Sequence, residues 1–370
     1  MANEDASISR VKTSDAEALR NYLIQTYDYD PGSYDSFPSQ DQKNTKILAR
    51  IDWNINQNHH LALRYNYTTN TRWNNASISR DFTALNENVP SQYGILFSNS
   101  QYQQQNNVKT FTLDLNSRLT PSLSNQLLAT YSRLYDVRDS NSKPFPLVEI
   151  AAGDLGEPDL PYMTFGYELF TYENTVDNKI FTVKDDLTWY KGNHKLMGGV
   201  SFEHQFVGNT YLRNWDGSFR YDSLSSFYAG AAPVAMAFDW GYNGDTAPTA
   251  SVTFNQLGLY LQDEWNIKPN FKLTAGIRFD DLMFDNNDIM RNNAIYNLDF
   301  GGRHIDTGAW PKNNIQISPR LGFSWDVFGD HSLKVRGGTG LFAGRIPLVF
   351  FTNMPQNSGM IQNLATATPY

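Results

Sequence analysis

The chain has 370 residues, a formal net charge of -8 and no cysteine. That length suits one large domain or two ordinary ones; the acidic balance, with no basic stripe, excludes a general nucleic-acid binder, and the missing cysteines exclude a disulfide framework, Cys-ligated zinc and thiol chemistry. Aromatics reach 14% against only 18% charged residues, a mixture too aromatic for a disordered chain and polar mainly through amides and hydroxyls.

The opening residues, Met1-Ala2-Asn3-Glu4-Asp5, carry neither the basic region nor the apolar core of a secretory signal. The first predicted element is a helix over 14–26, with Ser14 as N-cap, Glu17 at the third helical position and Leu19 and Leu23 on one face. It is expected to pack on the mouth of the structure that follows. Strands then come in pairs. Residues 46–55 turn through Asn56-Gln57-Asn58 into 60–69; 108–119 turn through Pro121-Ser122 into 125–137; 179–190 turn through Gly192-Asn193 into 195–207. The longest apolar run, 228–238 (YAGAAPVAMAF), is too short for a spanning helix and contains Pro233.

The fourth hairpin shows the period most clearly. Leu257, Leu259, Leu261, Trp265 and Ile267 share one face, opposite Gln256, Gly258, Tyr260, Gln262 and Glu264. Asp263 interrupts the apolar face, which is tolerable only near a membrane surface. After Lys268-Pro269-Asn270, the strand 271–280 alternates Phe271, Leu273, Ala275, Ile277 and Phe279 with Lys272, Thr274, Gly276, Arg278 and Asp280. A fifth hairpin runs from 315 to 327, turns at Gly329-Asp330 and returns from 333 to 341, with a bulge or strand end expected near Pro319.

Connections between hairpins are long: 70–107, 139–177, 208–253 and 285–314. Ordinary loops have a median of about 4–6 residues. Strict alternation of short and long connections gathers the long ones at one end of a sheet, as in outer-membrane barrels. A soluble barrel or sandwich shows the same period with its apolar face inward. Two features favour the membrane form. Trp53, Trp189, Tyr190, Trp265 and Trp325 sit near the short turns, where an interfacial girdle belongs. The polar face carries Arg50, Arg64, Lys184, Arg278 and Arg336, which a wet lumen accommodates. The expected fold is therefore all-β, an antiparallel up-and-down transmembrane β-barrel with about ten strands present.

Two segments carry a family resemblance. YLQDEWNIKPNFKLTAGIRFD (260–280) resembles the Y-x-Q-D-x-W … L-x-x-G-x-R-x-D hairpin of TonB-dependent receptors, and ISPRLGFSWDVFGDHSLKVRGGTGLFAGR (317–345) resembles their PR-x-G-x-S … R-x-G-x-G-x-F hairpin. In detail they are most similar to the large receptors with an N-terminal carboxypeptidase-regulatory-like domain, the adhesion-and-development-associated group. The resemblance implies a barrel of about 22 strands, a signal peptide, often a TonB box, and a plug domain. Residues 1–370 are then expected to be a partial barrel, a fragment that ends at Thr368-Pro369-Tyr370 inside a further loop. The implied partners are membrane lipid, the TonB complex through the missing plug, and a small-molecule, glycan or peptide ligand at the cell outer membrane. Tyr260, Gln262, Glu264, Arg278 and Asp280 are expected to form a bonded lattice on the lumenal wall; Gly337, Gly338 and Gly340 allow close backbone approach or curvature.

Nothing in the sequence nominates a catalytic, cofactor or metal residue. Asp280, Asp281, Asp285, Asn286, Asn287 and Asp288 lack EF-hand spacing and read as a solvated loop mouth. His59, His60, His194, His204, His304 and His331 match no metal motif. No pair of carboxylates is fixed at a glycosidase separation, G-x-S-x-G is absent, and Gly337-Gly338-Thr339-Gly340 lies in a strand pattern, unlike a phosphate loop. The long loops hold Tyr93, Phe97, Tyr102, Tyr162, Phe165, Tyr167, Phe170, Tyr172, Trp215, Phe219, Tyr221, Phe227 and Tyr228. Such rings either stack on a sugar or peptide ligand or pack the loops on each other; packing is expected of any single one. Nutrient import is the first functional expectation. Surface adhesion without active transport is the alternative, and a passive porin-like channel a third.

Overall fold

The computed structural model describes residues 8–37, 41–285, 291–311, 314–344 and 347–367. In chain order its elements are α1 (Thr13–Tyr27), β1 (Lys43–Asn54), β2 (His59–Asn74), β3 (Ile95–Leu96), β4 (Tyr102–Thr120), β5 (Leu123–Ser140), β6 (Leu147–Ala152), β7 (Glu157–Phe165), β8 (Thr175–Lys191), β9 (His194–Thr210), β10 (Ser218–Tyr221), α2 (Leu224–Tyr228), β11 (Ala235–Gly241), β12 (Thr249–Lys268), β13 (Phe271–Asp285), α3 (Asn293–Tyr296), β14 (Gln316–Asp326), β15 (Lys334–Gly340), α4 (Val349–Asn357) and β16 (Gln362–Ala367).

The ten strands of the five expected hairpins form one antiparallel sheet in the order β1-β2-β4-β5-β8-β9-β12-β13-β14-β15. Its two faces answer the choice between membrane and soluble barrels. Ile51, Trp53, Phe111, Leu187, Leu259, Leu261, Ile317 and Leu321 are exposed on the apolar side. Trp189, Trp265 and Trp325 stand exposed at the turn ends with Tyr190. Neither cluster of buried apolar residues among the described residues draws on this sheet. A soluble barrel would bury these leucines; here they face out, as lipid contact requires. Asp263 stays on this outer face beside the turn, where His194 Nδ1 lies 2.7 Å from its Oδ2. Among the described residues the sheet is open: β1 and β15 each have a single neighbour.

Several wall strands run well past the alternating stretch. β4 and β5 hold 19 and 18 residues, roughly 60 Å of strand each, more than a tilted crossing needs. The excess is amide-rich: Gln103 to Asn107 pair with Tyr135 to Asp139. Beyond the hydrocarbon neither face need be apolar, so hydrophobic periodicity stops before the ladder does.

A second sheet, β16-β11-β10-β6-β7-β3, is built from the long connections and the segment that follows the fifth hairpin. It is mixed: β10 runs parallel to β6, and β3 parallel to β7. From the sequence these segments read as loops. α1 lies on this layer, where Ala16, Leu19 and Leu23 pack with Phe97, Ile150, Met163 and Phe165. One local expectation needs correction. The α1 N-cap is Lys12, with no side-chain cap; Ser14 Oγ donates instead to Asp15, 3.2 Å away, and Glu17 accepts from Tyr34 Oη at 3.1 Å. The strand end expected near Pro319 is there: β14 begins at Gln316 and its pairing with β15 stops at Arg320, while Pro319 itself pairs in register with Ile277 of β13 without a bulge.

Candidate ligand-facing site

The face opposite the lipid side is a continuous polar lattice. Arg50 binds Asp52 at 2.6 Å and His60 reaches the same carboxylate at 3.3 Å. Gln126 donates to Asp114 at 3.0 Å, and Lys184 sits 2.7 Å from Asp186, which also accepts from Tyr260 Oη. Arg278 holds Asp280 at 2.7 Å and donates to Ser201 at 3.0 Å. Glu264 lies between Lys195 at 3.3 Å and Lys272 at 2.9 Å. Four of the five predicted lattice residues thus bond within it. The fifth, Gln262, lies against Gly276. Gly199 makes room for the Tyr260 ring, since a Cβ there would collide with it and with Asp186.

Above the wall, α4 turns down over this polar face. Leu348 and Phe351 roof a cavity of about 280 Å³ whose floor includes Gln256, Arg278, Asp280 and Arg320. Of the acidic run, Asp280 is therefore a lattice member, while Asn286, Asn287 and Asp288 lie outside the described residues, as do Arg345 and the terminal Pro369 and Tyr370. The histidines stay dispersed: His59 bonds Ser117 at 2.8 Å, His204 bonds Asn255 at 2.8 Å, His304 approaches the Tyr296 carbonyl at 2.8 Å, and His331 bonds Asp326. Among the described residues no three His, Asp or Glu gather as a metal set.

The loop aromatics pack. Phe97, Tyr162, Phe165 and Phe227 are buried; Tyr172 stacks on Trp215 at 3.9 Å; Phe219 meets Phe238 edge-on at 5.1 Å. Burial and the Asp15 carboxylate that Tyr162 Oη bonds at 2.6 Å push its phenol up to about 12. Two charged clusters stitch the layer. Glu149 is clamped by Arg80 at 2.7 Å and Arg220 at 2.6 Å, all three side chains nearly inaccessible. Arg213 bridges Asp81 at 3.1 Å and Asp239 at 3.2 Å. Neither cluster was visible in the sequence, because their members lie far apart along the chain.

Burial pushes the Asp239 carboxyl up to about 7, with Asp81 adding to the rise and Arg213 opposing it. The unfolded value is about 3.9, so between the two values the folded state binds more protons, and stability falls as pH rises through that window. The urea midpoint of the loop layer is expected to drop between pH 5 and pH 7.5 in the natural protein and to stay level in Asp239→Asn.

Against this geometry stands a sequence match over residues 2–369 to the family described as outer membrane beta barrel domain. The chain belongs to that family. This outer-membrane barrel domain is all-β with an antiparallel wall, and its lipid-facing leucines and tryptophans are the residues already named. Among solved structures it resembles the outer membrane transporter YddB from Escherichia coli, with 15% identity and a TM-score of 0.53 over 89% of this chain and 35% of that one. It also resembles the ferric-catecholate import receptor Fiu from E. coli K12 in its open form, with 14% identity, a TM-score of 0.43, and 77% and 45% covered. A third is the copper transporter OprC, with 12% identity, a TM-score of 0.41, and 82% and 47% covered. At these identities the likeness is one of fold, and the barrel domain spans less than half the length of each. Comparison with curated proteins gives no match.

Proposed function

We propose that this barrel domain forms part of the wall and the outer mouth of a TonB-dependent import receptor. The observation that carries the reading is the pairing of a hydrogen-bonded polar wall with a folded layer across its long-loop end, tied down onto the wall by α4. A passive pore needs an open mouth; a receptor needs a structured one that grips a ligand before releasing it inward. In this reading the open β1 and β15 edges are completed by further strands of a barrel of about 22, since unpaired backbone groups in lipid cost several kcal/mol each. A plug domain passes energy from the TonB complex, a carboxypeptidase-regulatory-like domain precedes it, and the protein performs no catalysis. The description of YddB as an outer membrane transporter supports transport as a class, without naming the cargo.

The test is growth of the source cells on candidate nutrients with and without this gene, repeated in cells lacking a working TonB complex. Import predicts that either deletion abolishes growth on the same nutrient. Growth lost only with this gene, and conductance in planar bilayers without energy input, would instead mark a passive channel. Cell attachment lost with no uptake defect would mark an adhesin.

A further inference from the structure

The cavity of about 280 Å³ beneath α4 joins apolar surface to one surplus positive charge. Leu282, Phe284, Leu348 and Phe351 line it, and each stays partly exposed, so an occupant can touch them. The two rings are held in place by Trp310, with the three ring centroids 5.1 to 5.4 Å apart. Three charged side chains also line the space, and two of them cancel. Arg278 grips Asp280 through Nε and Nη2, both bonds 2.7 Å long. Arg320 is left over. Elsewhere on this face Arg50, Lys184 and Arg278 each lie within 2.7 Å of a carboxylate. Among the described residues Arg320 makes no ion pair; its guanidinium rests over the Phe342 ring, 4.8 Å from the centroid, and the residue is exposed. The register explains this. Arg320 stands opposite Gly276 of β13 and Gly340 of β15, so no side chain flanks it on either neighbouring strand. A Cβ on Gly340 would lie 3.2 Å from Arg320 Cγ.

An unpaired arginine in water is ordinary, so its isolation alone marks nothing. Its place in the lining of a partly apolar cavity does. A guanidinium keeps its charge at any physiological pH and presents a planar fork that takes a carboxylate through two parallel bonds. Small-molecule sites combine apolar walls with a few polar groups that fix orientation. The volume lies just below the usual ~300–1,000 Å³ of such sites, which limits the occupant to about one ring or a short branched chain. One surplus positive charge asks for one negative charge.

We propose that this cavity binds a small monocarboxylate with an apolar body, its carboxylate on Arg320 and its body against Phe284, Leu348 and Phe351. The fork of Arg320 donates to both carboxylate oxygens, and the apolar body leaves water for the surface that the rings and leucines offer. The inference deepens the import reading and rests on it for its purpose, since the cavity lies under α4 on the polar face of the wall. Binding itself can be measured without transport.

The experiment is calorimetry on the intact receptor in lipid nanodiscs, with empty discs as the blank, titrated with phenylacetate, phenylacetamide and acetate. Phenylacetate is expected to bind about tenfold or more tightly than either of the others, about 1.4 kcal/mol, because the amide lacks the charge and acetate lacks the ring. Arg320→Gln should bring phenylacetate and its amide level, and Phe351→Ala should bring phenylacetate towards acetate. Heat-modifiable migration in SDS gels confirms that each variant still assembles. Equal binding of phenylacetate and either comparison ligand, no binding up to about 10 mM, or a preference for the acid that survives Arg320→Gln overturns the proposal. The comparison of the three ligands needs no variant to fold. Failure here with TonB-dependent growth intact leaves the import reading standing, whereas the expected binding with no TonB-dependent uptake would overturn that reading alone.

Discussion

Leu259→Arg is expected to cost ~2–4 kcal/mol and to abolish heat-resistant migration in SDS gels. Leu259 is exposed on the apolar face of β12, six residues from Trp265 at the turn-end girdle, which for a tilted strand places it near the bilayer midplane. A guanidinium there meets hydrocarbon on every side. The matched control is Thr274→Arg, on the polar face opposite Glu264, which should leave the barrel heat-resistant. If both changes were tolerated equally, the assignment of the two faces would be wrong.

The second large effect is confined to the loop layer. Glu149→Ala leaves two buried guanidiniums facing each other without their carboxylate, and removing one partner of a buried ion pair costs ~3–5 kcal/mol. Hydrogen exchange in β6 and β10 should rise to that of an unfolded segment, while the ten-stranded wall remains protected. Replacing Arg80, Glu149 and Arg220 together by Met, Leu and Met should recover most of the lost protection, because what destabilises is the orphaned charge. Equal loss in the wall would show that wall and loop layer unfold as one unit.

These outcomes separate what the sequence made legible from what it hid. Wall strands advertise themselves because one face meets lipid and the other a wet interior, so every second residue is constrained; all ten were readable, down to Asp263 at the membrane edge. Their outer extensions were not, since amides such as Gln103 to Asn107 sit where neither face need be apolar. The second sheet gave no period at all. β6 is buried on both faces along its whole length, β3 has only two residues, and β7 contains Pro161, a residue that argues against a strand. Aromatic density in the loops was the one available hint, and it reported the core of a second layer.

The parallel pairing of β6 with β10 sets an order of assembly. Its partners are about seventy residues apart, so the entropy of closing that loop is met only after the intervening hairpin of β8 and β9 has been laid down. Wall hairpins, by contrast, close through turns of a few residues. The covering layer therefore forms late, on a wall whose hairpins have already closed.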